Sequence, residues 1–156
     1  MTETLAIDDE LVVNDVSEPL DANKTKRMPL SKMHAPVFLT SPLTSTDFDG
    51  DAFSTTAKTL IDLSDKFSLP AGVSAVLAYL YASDSGSGGG VAWAGLGPSA
   101  NPSYALFNHL QGAPNGAPRV VTGVVPCDAN GDIYFECVAT GVGTLNVVLF
   151  IWGYWL

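Results

Sequence analysis

The sequence has little charge over most of its length. Of the 16 acidic and 7 basic side chains, 12 and 6 respectively precede Ser68. From that residue to the end only five are charged: Asp84, Arg119, Asp128, Asp132 and Glu136. A monomeric protein normally shows more charge on its surface. The scarcity therefore predicts that part of this body is covered by partners.

Basic residues are scarce in particular, and the formal net charge is −9. A protein that binds DNA or RNA presents a stripe of Lys and Arg, which displaces counterions from the phosphates. The chain has no such stripe. Nucleic acid is therefore not among the expected partners.

Long hydrophobic runs are also lacking. The longest, VVLFIWGYWL at residues 147–156, is about half the length of a membrane-spanning helix. The first 20 residues are acidic and have no apolar core, so they do not read as a signal peptide. We expect neither a membrane span nor a secretion signal.

Groups for catalysis are few. His34 and His109 are the only histidines, and no nucleophile elbow, zinc-protease, dithiol or phosphate-loop motif occurs. The glycine-rich stretch at 83–95 has no Lys and no following helix that would hold a phosphate. The sequence predicts a protein that is not an enzyme and that has no cofactor.

Residues 1–36 mix charges with short apolar segments and show no regular periodicity. Such a segment cannot bury enough surface to fold alone. It predicts an extended arm that becomes ordered on a partner, and a disordered tail is the alternative. The residues expected to anchor the arm are Lys24, Lys26, Arg27, Pro29 and Leu30.

Residues 37–156 are typical of one all-β domain. Apolar runs rich in β-branched and aromatic residues alternate with Gly, Pro, Asn, Asp and Ser. The runs span 59–63, 73–82, 91–96, 103–110, 119–126, 132–139 and 144–156. A spacing of roughly 10 to 15 residues suits an antiparallel β-sandwich of the jelly-roll kind. Only residues 54–67 could hold a helical turn.

The stretch CDANGDIYFEC, at 127–137, places both cysteines around a turn. Asn130-Gly131 predicts a two-residue type I′ hairpin. In that register the sulfurs lie on opposite faces and roughly 10 Å apart along the strands, too far for a disulfide. We predict two free thiols, consistent with assembly in a reducing cytoplasm.

Two acidic turns, DFDGD at 47–51 and DANGD at 128–132, place oxygen ligands at alternate positions, as calcium loops do. Neither continues to the terminal carboxylate of such a loop. A structural turn is the favoured interpretation. The alternative is a cation held by Asp47, Asp49 and Asp51.

Trp93 follows the glycine-rich stretch and is the best candidate for an exposed aromatic platform. Such a ring can stack on a sugar of a host-surface glycan. For the other candidate rings, Trp152, Tyr154 and Trp155, packing in the core or in an interface is favoured.

The last strand is apolar on both faces. Strict alternation puts Leu145, Val147, Leu149, Ile151 and Trp155 on one face. The other face then carries Val148, Phe150, Trp152, Tyr154 and Leu156. An antiparallel sheet usually keeps one polar face, so burying both faces requires a second surface, most simply another copy of the chain. We predict a homo-oligomer, with a trimer favoured, whose interface uses the second set.

The stretches TSTDFDGDAFSTTAKTLIDLSDKFSLPAGVSAVLAYLYASDSGS and GVVPCDANGDIYFECVATGVGTLNVVLFIWGYWL resemble small all-β virion proteins of tailed bacteriophages. These include tail-fibre domains and capsid-decorating proteins. The N-terminal ANKTKRMPLSKM is similar to a short module near the start of phage tail-fibre proteins. The resemblance implies a structural role in the virion, with the arm docked on other virion proteins and the sandwich projecting outward.

Three hypotheses follow from these expectations. The first is a tail-fibre or adaptor component in host attachment. The second is a capsid decoration (cement) protein or head fibre. The third, from a different class, is a carbohydrate-binding module that uses Trp93.

Overall fold

The computed structural model describes residues 10–14, 25–29, 35–45, 58–100, 104–140 and 145–156, with only the backbone defined in the first two ranges. The chain divides into two units, Met1–Ala35 and Pro36–Leu156. In the first unit β1 (Glu10–Asn14) pairs antiparallel with β2 (Thr25–Pro29). The amino-acid pattern predicted an extended arm there and gave no sign of this pairing.

The second unit is a sandwich of two four-stranded antiparallel sheets. Sheet I contains β3 (Val37–Leu43), β10 (Asn146–Trp155), β5 (Ala75–Ser83) and β8 (Arg119–Pro126), in that spatial order. Sheet II contains β4 (Thr59–Ile61), β9 (Ile133–Val138), β6 (Trp93–Gly97) and β7 (Leu106–His109). The predicted all-β sandwich is confirmed.

The strand order is that of a jelly roll. Four nested antiparallel pairs, β3 with β10, β4 with β9, β5 with β8 and β6 with β7, make one long ribbon. Alternate pairs of the ribbon fall in opposite sheets. The pairings β10 with β5 and β9 with β6 then join the pairs within each sheet. Eight strands arranged in this way form the double-sheet jelly roll.

The core lies between the two sheets and follows from period-2 burial. In β5 every second residue is buried (Val76, Ala78, Leu80 and Ala82), and each is 0% exposed. Strand β9 buries Ile133, Phe135 and Cys137 in the same way. Side chains alternate between the faces of a strand, so half of each strand meets the opposite sheet and half faces outward.

A short helix, α1 (Leu63–Phe67), follows β4. The side chain of Asp62 caps its N-terminus by accepting from the amide of Asp65 at 2.9 Å. It ends at Ser68, whose φ of 55° is left-handed. Leu63 and Phe67 lie one turn apart and are both buried in the core. The helix therefore packs one side against the interior of the sandwich.

A β-bulge interrupts β10. Ile151 pairs with Ala78 and Gly153 pairs with Leu77, so Trp152 is an extra residue without a partner on β5. A bulge of this kind shifts which face the following side chains point to. The alternation read from the sequence therefore holds only as far as Trp152.

Beyond the bulge the predicted faces are wrong. Tyr154 lies opposite the fully buried Val76 and packs against the core, whereas strict alternation placed it outward. Trp155 points to the outer face, where its ring meets Phe38 edge-on at 6.5 Å. The extra residue is the physical reason for both errors.

The Asn130-Gly131 turn is confirmed as a turn but not as a hairpin. Strand β8 pairs with β5 and β9 pairs with β4 and β6, so residues 127–132 cross from sheet I to sheet II. Gly131 has a φ of 92°, while Asn130 lacks the positive φ that a type I′ turn requires. The Asp128 carboxylate shapes the turn by accepting from the amides of Asn130 and Asp132.

Neither cysteine is in a disulfide, as predicted. The reason differs from the predicted one, because Cys127 leaves sheet I while Cys137 lies buried in sheet II. Burial raises the pKa of the Cys127 thiol to about 12, with smaller contributions from Asp128 and Asp132.

Candidate functional site

The outward side of sheet I is a continuous apolar surface built by three cross-strand rows. Across β8, β5 and β10 the first row is Val120, Tyr81 and Val148. The second row is Thr122, Tyr79 and Phe150, and the third is Val124, Leu77 and Gly153, extended by Phe38 of β3. We refer to these residues, together with Trp152, as the apolar face.

The apolar face is exposed and carries no charge. Phe38 is 67% exposed, Val120 and Val124 are each 48%, Trp152 is 38% and Val148 is 37%. The strands of sheet I contain one charged residue, Arg119, and its register places it opposite the buried Ala82 rather than on this face. Contiguous apolar surfaces of this kind on soluble proteins usually mark contact sites.

A shallow pocket of about 250 Å³ opens on the apolar face. Pro42, Tyr79, Phe150 and Trp152 line it. The rings of Tyr79 and Phe150 meet edge-on, with 5.6 Å between their centroids, and form one wall of the pocket. The outward-facing side chain of Trp152 forms another. The pocket gives an otherwise pleated surface a concave feature.

Of the five residues predicted for an oligomer interface, three belong to the apolar face: Val148, Phe150 and Trp152. Leu156 follows the end of β10 and is 47% exposed. Tyr154 faces the core instead.

The outward side of sheet II has a different character. It carries an aromatic cluster formed by Trp93, Tyr104, Phe107 and His109. The first three rings stand in a triangle, with centroids 5.1 to 5.3 Å apart. His109 stacks on Phe107 at 6.1 Å. This is where the structure places the predicted glycan contact, Trp93, which is half-buried.

The register of sheet II explains why these rings meet. Trp93 of β6 pairs with His109 of β7, and Gly95 pairs with Phe107 on one side and with Glu136 of β9 on the other. A Cβ at Gly95 would come within 2.5 Å of the Tyr104 ring. The missing side chain therefore allows that ring to lie over β6.

Two charged groups border the aromatic cluster. The Tyr104 hydroxyl donates to Glu136 Oε2, and the Lys58 ammonium lies 4.3 Å from the centroid of the Tyr104 ring, a cation–π contact. Burial, and then the hydrogen bond and charge of Glu136, raise the pKa of Tyr104 to about 12. Burial lowers the pKa of Lys58, and the charge of Glu136 partly opposes that shift.

Sequence reasoning identified Trp93 but not its neighbours. The alternation of Phe107 and His109 in β7 was a signal that both point to one face. No local signal connects Lys58 or Glu136 to that face, because strand pairing between distant parts of the chain brings them there.

For the other predicted site residues the structure describes no side-chain contacts. Asp47, Asp49 and Asp51, the candidate cation ligands, lie outside the described residues, as do Lys24 and Leu30 of the proposed anchor. Lys26, Arg27 and Pro29 lie in β2, where only the backbone is described. In the described part of the chain, no three His, Cys, Asp or Glu side chains are grouped so as to hold a metal ion.

The same described residues include no helix that is long and apolar enough to span a membrane. Comparison of the chain with models of known protein families, and with curated proteins, found no match.

Proposed function

We propose that this protein is a non-enzymatic structural component of a tailed-bacteriophage virion, an oligomeric jelly roll that serves in host attachment. The apolar face of sheet I is the observation that carries the proposal. Its exposed rings and valines lie in register on four strands, without a charge among them. A second copy of the chain is the simplest occupant, because closed homo-oligomers use such self-complementary patches.

The fold is consistent with this role. Double-sheet jelly rolls include virus coat domains and lectin domains. A fold alone does not define a function, so the proposal rests on the apolar face of sheet I. The predicted trimer is one way in which copies could cover their apolar faces.

The buried acids of the described region have structural roles, which supports a non-enzymatic protein. Asp84 binds the amides of Gly86 and Thr140. Asp132 accepts from the amide of Leu63 at 3.1 Å and so joins β9 to the start of α1. Asp84 is 1% exposed and Asp132 is 9% exposed, so neither carboxylate is open to a substrate.

Sedimentation of the full-length chain tests the assembly. Wild-type protein at micromolar concentration should sediment as an oligomer, and Val148→Asp should be monomeric because it places a charge within the contact. Val91→Asp is the matched control, since Val91 is 49% exposed but lies outside the strands. A monomeric wild type, or an oligomer that persists in Val148→Asp, would count against the proposal.

Deletion of residues 1–36 tests the place in the virion. We expect the truncated protein to assemble with itself but to be missing from purified particles, because the arm provides the anchor. Lost adsorption with normal heads would favour the attachment role. Lost capsid stability with normal adsorption would favour a capsid decoration protein, and unchanged incorporation would refute the anchor.

A further inference from the structure

We propose that the aromatic cluster, with Glu136 and Lys58, is a carbohydrate-binding site for a neutral pyranose. The site lies on sheet II, on the opposite side of the sandwich from the apolar face. It therefore does not depend on the assembly proposed above.

The cluster is a surface feature and not an extension of the core. Phe107 is 41% exposed and His109 is exposed, while the alternate residues of β7, Leu106 and Asn108, are buried. Trp93 and Tyr104 are half-buried and contact Phe107, so part of each side chain faces solvent. A stacked ligand would find them already positioned.

The chemistry of the surface matches a ligand that has an apolar face and a polar edge. An aromatic ring is negative over its face, and the C–H groups on one face of a pyranose carry partial positive charge. The Glu136 carboxylate accepts hydrogen bonds and the Lys58 ammonium donates them, as the hydroxyl edge of a sugar requires. The apolar face of sheet I has no such groups among its side chains, apart from the hydroxyls of Thr122, Tyr79 and Tyr81.

Charge favours a neutral sugar over an acidic one. Glu136 and Lys58 flank the same Tyr104 ring, so their charges offset each other locally. The whole chain carries a net charge of −9, which disfavours the approach of an anionic glycan. The proposal is therefore restricted to neutral hexose or N-acetylhexosamine chains.

The spacing of the rings disfavours the other usual ligand of aromatic surfaces, a quaternary ammonium group held in a cage. Centroids 5.1 to 5.3 Å apart are in direct ring contact, which leaves no room for a cation between them. Lys58 also already occupies a cation–π position on Tyr104. A ligand has to lie over the exposed ring surface, as a pyranose does when the C–H groups on one face of its chair stack on an aromatic ring.

The test is binding of the full-length protein to an array of immobilised neutral, uronic-acid and sialylated oligosaccharides, followed by titration with the best soluble oligosaccharide. We expect binding to neutral chains. Trp93→Ala and Phe107→Ala should each weaken it by about tenfold or more, the factor that corresponds to one lost stacking contact. Asp65→Ala, which removes an exposed carboxylate of α1 outside both sheet surfaces, should leave it unchanged.

A second measurement covers the case in which a variant fails to fold. In wild-type protein the indole N–H resonance of Trp93, assigned with Trp93→Phe, should shift on titration, while those of Trp152 and Trp155 should not. No binding to any neutral oligosaccharide at millimolar concentration would overturn the proposal. So would binding that Trp93→Ala and Phe107→Ala leave intact, or binding confined to acidic sugars.

The two proposals fail separately. Loss of glycan binding in Trp93→Ala with an unchanged oligomer would support this site and leave assembly to its own test. A monomeric wild type that still bound neutral sugars would refute the assembly and retain the site.

Discussion

The carboxylate of Asp84 accepts a hydrogen bond from the backbone amide of Thr140, with 3.0 Å between Oδ2 and N. Its Oδ1 accepts from the amide of Gly86 at 2.6 Å. Asp84 is 1% exposed, at the point where β5 ends and the glycine-rich loop begins. One carboxylate therefore links the glycine-rich loop to the segment that follows β9.

Replacing Asp84 tests whether its two hydrogen bonds stabilise the fold. Asp84→Ala should lower the free energy of unfolding by about 3 kcal/mol, because two amides lose a charged acceptor. Asp84→Asn should cost less, since it keeps one acceptor oxygen. The measurement is urea unfolding followed by tryptophan fluorescence, with Asp65→Ala, an exposed carboxylate, as the control. A value for Asp84→Ala that matched the control would refute the assigned role.

Substitutions at Trp152, the extra residue of the bulge, and at Tyr154, which lies beyond it, should affect different properties of the protein. In a Val148→Asp background, which we expect to be monomeric, Tyr154→Ser should lower the stability by about 2 kcal/mol because it opens the core. Trp152→Ser should change the stability of that monomer little. In the wild-type background the same Trp152 substitution should weaken self-association.

Thermal melts and sedimentation provide these measurements. Equal stability losses at both positions would mean that the two side chains share one environment. That result would contradict the reversal of faces at the bulge.

Tyr104 should titrate well above an ordinary tyrosine. Its pKa is raised from 10.0 to about 12, so the hydroxyl favours folding while it is protonated. The contribution is complete below pH 10 and is lost as the pH rises towards about 12. Tyr104→Phe removes this group, and the stability of that variant should fall less between these pH values than that of the wild type.

Glu136→Gln provides the matched change, since it keeps a hydrogen-bond acceptor and removes the charge. The Tyr104 pKa should then move back towards its ordinary value. Phenolate absorbance, taken as the difference between each protein and its Tyr104→Phe counterpart, reports that pKa. An unchanged Tyr104 pKa in Glu136→Gln would show that Glu136 does not contribute to the shift, which would then come from burial alone.

The two thiols should be unreactive in the folded protein. Cys137 is buried, and the Cys127 pKa of about 12 leaves little thiolate at pH 8. A chromogenic disulfide reagent should label neither thiol within minutes in native buffer and both in urea without reductant. Cys127→Ser should leave one reactive thiol in urea. Fewer than two in the wild type would indicate a disulfide.

Much of the fold followed from local pattern. Turn residues at regular intervals and period-2 apolar runs predicted the β-sandwich, and the runs at 73–82, 119–126 and 132–139 correspond to β5, β8 and β9. Strand β3 was not among the predicted runs, because Thr40, Ser41 and Pro42 interrupt its pattern. The predicted hairpin at Asn130-Gly131 failed for a different reason, since both strands found better partners elsewhere in the chain.

The sequence by itself determined that this is an all-β body with little charge and with a C-terminal strand too apolar for one exposed face. These properties depend on composition and on neighbours a few residues away. Only the tertiary structure decided which side chains share a surface, because one extra residue at Trp152 reversed the faces of Tyr154 and Trp155. In the same way, pairing of β6 with β7 and β9 carried Glu136 to the Trp93 cluster. The faces of a sheet depend on register and on long-range pairing, and the local order of residues does not encode either.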